Sequence, residues 1–145
     1  MPKITDKPLL DLYATTVFLS EHSINFPHFS IITACNPLGV LLTEAENKAL
    51  LLSLTKVISN YQFIPVIGAS PDLSHQEPSY AVYCNKLEAT KIAEKFSQNA
   101  IFWIEKDILS IEPVTMIFET TTIGTFSSRL NKKAEVGASA KQQLK

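Results

Sequence analysis

Glycine is scarce, with four in 145 residues. That excludes a glycine-rich phosphate loop or a dinucleotide-binding turn, each of which needs several glycines at fixed spacing. Cysteine is scarcer still. Cys35 and Cys84 form neither a CxxC pair nor any zinc-type spacing, and both sit in apolar runs, where a thiol behaves as a small hydrophobe. The three histidines, His22, His28 and His75, are scattered, and Asp72 with Glu77 supply too few oxygens for a hard cation, so no metal and no other cofactor is expected. No apolar stretch approaches a membrane span, and the opening MPKITDKPLLDLY puts charges where a signal peptide carries its apolar region. A soluble, cytoplasmic protein without membrane contact is expected. Net charge is only −1, which gives no electrostatic reason to expect nucleic acid as a partner.

What is present is a core. With 46% apolar residues the chain can bury one domain's worth of side chains. Residues 1–123 read as a single α+β domain. From Gly124 onward, Arg129, Lys132, Lys133, Lys141 and Lys145 face only Glu135, so 124–145 reads as a basic tail, flexible or partly helical.

Strands are expected at YATTVFL (13–19), FSIITAC (29–35), FIPVIGA (63–69), SYAVYC (79–84), AIFWIEK, ILSIEP and VTMIFETTT. Pro65 cannot donate to a ladder, which places its strand at an edge or beside a bulge. Lys106 and Asp107 form a hairpin turn. Thr43 with Glu46, and Asn85 with Glu88, start two helices whose apolar stripes are Leu50, Leu51, Leu54, Val57 and Ile58, and Ala89, Ile92, Ala93 and Phe96.

The central order strand, helix, strand, strand, helix, strand is the split βαβ pattern. It predicts a ferredoxin-like antiparallel sheet with both helices on one face, extended by an N-terminal strand and a C-terminal hairpin. The strand from Phe29 then lies between those from Ser79 and Ala100. One rim collects Thr33, Asn36, the helix start at Thr43, Gly68, Ser70, Glu77, Ser79, Gln98 and Asn99, and such a rim can bind a small polar molecule. Turn chemistry alone also accounts for these residues. Asn36-Pro37 can begin a turn, Asn99 can cap a helix in the left-handed region, and Glu77 can form a salt bridge.

The string TACNP from Thr33, Asn47 in the helix behind it, Gly68, EPS at Glu77 to Ser79, and FSQNAIFW at Phe96 to Trp103 resemble an uncharacterised bacterial family, domain of unknown function 3293. The similarity runs from about Tyr13 to about Glu112. It implies a small soluble domain with polar positions at Asn36, Asn47, Gly68, Glu77, Ser79, Gln98 and Asn99, and it implies no activity. Two departures stand out: Cys35 where the family often has an aromatic, and Ser74, His75 and Gln76 where it tends to have a tryptophan.

Three functions compete. The first is recognition of a small polar molecule around Asn36, Glu77 and Gln98. The second is a small hydrolase-type enzyme with Glu77 as general base, since burial at a strand end can raise a carboxyl pKa toward neutrality; no second acid accompanies it, because Asp72 more naturally opens a turn. A Cys35–His75 nucleophile pair is weaker, given the departures. The third is a protein-interaction module using the tail or a sheet edge. Stacking of RNA on Phe102, Trp103, Tyr80 and Tyr83 competes with their ordinary place in a core. Nothing in the sequence fixes an oligomeric state.

Overall fold

The computed structural model describes residues 7–132; residues 133–145 of the basic tail lie outside them. Two helices begin where local chemistry places them. Helix α2 (Glu44–Val57) is capped by Thr43, whose hydroxyl accepts the Glu46 N–H at 3.1 Å while the Glu46 carboxylate accepts the Thr43 N–H at 2.9 Å. Helix α3 (Lys86–Lys95) repeats the device with Asn85 and Glu88. Each box satisfies first-turn donors that have no partner inside the helix. α3 ends at Ser97, not Asn99, in the left-handed region (φ 51°), with the Gln98 N–H closing back on the Ala93 carbonyl.

The strand expected over 13–19 is shorter than its pattern. Helix α1 (Lys7–Ala14) takes Tyr13 and Ala14, and β1 is Val17–Ser20. Leu10, Tyr13 and Ala14 fall at helical spacing and pack on the sheet, and the Thr15 and Thr16 hydroxyls turn back to the Asp11 and Leu12 carbonyls to end the helix. The remaining strands are β2 (His28–Ile32), β3 (Phe63–Ala69), β4 (Gln76–Val82), β5 (Ala100–Glu105), β6 (Ile108–Pro113), β7 (Thr121–Thr125) and β8 (Leu130–Lys132). β4 begins three residues earlier than expected, because Gln76, Glu77 and Pro78 already pair with Ala69, Gly68 and Ile67. VTMIFETTT is mostly loop, since the N–H groups of Val114, Thr115 and Met116 all turn to the Asn99 carbonyl. The boundary expected at residue 123 falls inside β7, and the sheet continues to Lys132.

All eight described strands form one sheet in the order β7-β6-β5-β2-β4-β3-β1-β8. β2 lies between β4 and β5, antiparallel to both. β3 is internal, against the edge expectation for Pro65. Yet β1 pairs only with Ile67–Ala69, so Pro65 lies past its end and is locally at an edge. Lys106 and Asp107 join β5 to β6 with φ of 52° and 67°, the two left-handed residues that a tight hairpin requires.

Because side chains alternate along a strand, each face has its own core. Ile32, Val82 and Ile101 face α2 and α3, meeting Leu54, Ile58, Ala89 and Ile92. Ile31, Ala81, Phe102, Leu109 and Ile111 face the other way, with Phe18, Phe126 and the apolar side of α1. That second face is concave. β7 and β8 are the two ends of the sheet, yet only residues 126–129 separate them, a gap the chain spans over at most about 18 Å. Laid flat, those ends would stand roughly 34 Å apart. The sheet therefore curls, and the Phe18 ring of β1 meets the Phe102 ring of β5 at 5.0 Å although three strands lie between them. Arg129 holds the seam: its guanidinium donates to the carbonyls of Ala14, Thr16 and Ile123 at 2.6, 3.1 and 2.7 Å. The result is a mixed α+β fold with one curled sheet and, among the described residues, three α-helices.

Candidate functional site

Past the end of β2, side chains replace the ladder. The Thr33 hydroxyl donates to the Pro78 carbonyl at 2.8 Å and accepts the Cys35 N–H at 3.0 Å, so the chain stays alongside the start of β4. Asn36 then turns into the left-handed region (φ 50°, ψ 61°), a conformation asparagine tolerates better than most residues, and Pro37–Gly39 make a single 3-10 turn. This is why an apolar strand ends in asparagine and proline.

The Asn36 amide can point only one way. The Leu42 N–H needs an acceptor and finds Asn36 Oδ1 at 3.0 Å, which sends Nδ2 to Glu77 Oε2, also at 3.0 Å. Asn47, on the first turns of α2, returns the arrangement: its Oδ1 accepts the Asn36 N–H and its Nδ2 donates to Asn36 Oδ1, both at 2.9 Å. Asn47, Asn36 and Glu77 thus form one chain of hydrogen bonds from helix to sheet. Asn36 is 8% exposed and fully engaged, so it acts as a positioning residue that aims the Glu77 carboxylate.

That carboxylate borders a cavity of about 630 Å³ between the start of α2 and the β3–β4 rim. Leu41, Leu42, Leu51, Ile67 and Pro78 form its apolar walls, and Glu44, Asn47, Lys48, His75 and Glu77 its polar ones. His75 Nε2 lies 3.5 Å from Glu77 Oε2. The field of Glu77 reaches buried neighbours. Burial pushes the Cys35 thiol pKa up and the Glu77 charge adds to this, against the pull of the Thr33 hydroxyl. Tyr13 is pushed up to about 12, by burial first and by Glu77 second. Cys35 is therefore a protonated thiol directed at the Pro78 carbonyl, without the character of a nucleophile.

Of the seven polar positions that the family resemblance implies, Asn36, Asn47 and Glu77 meet at this cavity. The other four do not line it. Gly68 sits opposite Glu77 on the ladder, where an added Cβ would make only ordinary contact with Thr16. Ser79 donates to the Glu77 carbonyl and borders a smaller hollow of about 200 Å³ with Ser20 and Tyr80. Gln98 is buried and donates to the carbonyls of Cys35 and Phe96, tying the loop after β2 to the end of α3. Asn99 pins the turn after β6, accepting from the Thr115 hydroxyl at 2.7 Å. Asp72 is spent on its own loop: the Ser74 N–H and the Ser74 and Ser70 hydroxyls hold its pKa down at about 2. Glu44 and Lys48 were not singled out in the sequence, although their i, i+4 spacing at the start of a capped helix puts them on one face with Asn47 between them. Phe102 and Trp103 are buried. Among the described residues no three His, Cys, Asp or Glu side chains converge as a metal site would require, and no helix is long and apolar enough to cross a membrane.

The family model described as protein of unknown function (DUF3293) matches residues 32–101. Those residues belong to this family. The DUF3293 segment runs from the last residue of β2 to the second residue of β5, so it contains α2, β3, β4, α3 and the whole Asn47–Asn36–Glu77 chain. α1, β1 and β6 to β8, which complete the curl, fall outside the match. No curated protein and no solved structure matches the chain.

Proposed function

We propose that the protein binds a small polar molecule in the cavity between α2 and the β3–β4 rim, with Glu77 as the principal recognition group. The observation that carries this is one carboxylate held by an amide chain inside a cavity of about 630 Å³, a volume suited to a metabolite-sized ligand. The scaffold is read as a ferredoxin-like split βαβ core, β2-α2-β3-β4-α3-β5, whose strand order β5-β2-β4-β3 and shared helix face support that reading. Both cysteines are free thiols, which favours a reducing, cytoplasmic setting. Hydrolase-type chemistry with Glu77 as base is the second reading, favoured by the imidazole of His75 at 3.5 Å, a carboxylate–imidazole pair through which a proton can pass.

The test is a thermal-shift screen of nucleotides, amino acids and sugars on the parent protein, Asn36→Ala and Glu77→Gln. A ligand at a hundred times its Kd adds about 2.7 kcal/mol of stability, a visible shift in Tm. The expected result is stabilisation of the parent and its loss in Glu77→Gln. A ligand response unchanged in both variants, with only their melting temperatures lowered, overturns the reading in favour of an interaction module.

A further inference from the structure

The cavity's lining carries two carboxylates, Glu44 and Glu77, against one lysine, Lys48. Glu77 Oε2 takes both the Asn36 amide and the nearby His75, and among the described residues no hydrogen bond ends on Oε1. No Lys or Arg among those residues lies within ion-pairing distance of Glu77. Five backbone donors near this mouth are used internally. The N–H groups of Asn36, Leu42, Thr43 and Glu46 go to side-chain oxygens, and that of Asn47 to the Thr43 carbonyl. The start of α2 is also already acidic, with Glu44 and Glu46 in its first turn.

From the half-buried Glu77 carboxylate beside an apolar wall of Leu42, Leu51, Ile67 and Pro78, we infer that the ligand is a cation, a primary ammonium or guanidinium group carried on an apolar body. The inference rests on the proposed binding site and names the chemistry it selects. A carboxylate with an open oxygen and no lysine or arginine within reach gains most from a charged donor, because such bonds are shorter and roughly twice as strong as neutral ones. Partial removal from water strengthens the attraction further. Lys48 is the charge that opposes it from the lining, and His75 faces the same carboxylate; Glu44 reinforces it.

Three probes of one shape separate charge from site: 2-phenylethylamine, 2-phenylethanol and 3-phenylpropanoate, titrated into the full chain and followed through the side-chain NH2 signals of Asn36 and Asn47 in nitrogen-edited NMR. The amine is expected to shift both signals and to bind at least tenfold more tightly than the alcohol. Glu77→Gln should weaken it at least tenfold, and Lys48→Glu, a change on an exposed residue, should tighten it. If the alcohol or the carboxylate shifts the same signals with equal or greater affinity, the cavity stands as a site and the cation inference falls. If none of the three moves either amide in the folded parent protein, the inference and the binding site fall together.

Discussion

Asn36 carries more of the site than its size suggests. Replacing it with alanine leaves the Leu42 N–H without its acceptor, removes the amide from Glu77 Oε2 and puts a Cβ residue without a side-chain hydrogen bond at φ 50°. A loss of about 2–4 kcal/mol is expected in urea unfolding. Asn36→Gly keeps the left-handed turn and removes only the amide, so it should cost measurably less than the alanine variant. Tyr13 gives a pH signature. Its folded pKa, pushed up to about 12, exceeds the ordinary value of 10.0, so the folded state holds the phenol proton that the unfolded chain releases. The associated stability is complete below pH 10 and drains away as pH rises toward 12. Between pH 9 and 11 the Tm of the parent should fall more steeply than that of Tyr13→Phe; parallel curves would show that Tyr13 ionises in place.

Elements differ in how openly the sequence announces them. α2 and α3 were legible because a capping box is written within four residues. Removing either cap, as Thr43→Ala or Asn85→Ala, is expected to cost about 1 kcal/mol in chemical denaturation, with no change in m-value. α1 was not legible. YATTVFL carries β-branched residues, but Tyr13 and Ala14 are claimed by the helix that the preceding leucines start, and packing on the sheet outweighs the local preference. The last expected strand failed for a similar reason, since one carbonyl, that of Asn99, gathers three N–H groups from a stretch whose pattern alone looked extended. Asn36 and Glu77 could be read toward one place because strand order brings their segments together, whereas Asn47 entered only through the family resemblance. Gln98 and Asn99 arrived at the same rim and were consumed by carbonyls and turns, which polarity in a sequence does not distinguish from exposure.

For the whole molecule the central sheet followed from connection rules, whereas the curl did not. β8 is three residues long and pairs parallel with β1 across more than a hundred positions, so nothing local marks it. Its docking depends on Arg129, whose charge reads as part of a basic tail in sequence and as a three-carbonyl clasp in the structure. Arg129→Met keeps most of the stem and deletes the donors. It should lower stability by about 3 kcal/mol and raise amide exchange in β1 and β7 more than in β2 and β5. Uniform exchange across all four strands would mean that the clasp contributes nothing special at the seam.

The order in which the strands are synthesised gives that seam a history. β1 is made early, and the residues that cover its outer flank are almost the last of those described to leave the ribosome. Through most of translation the nascent sheet thus presents an open backbone edge to whatever passes, and chaperones or sister chains have that whole interval in which to find it.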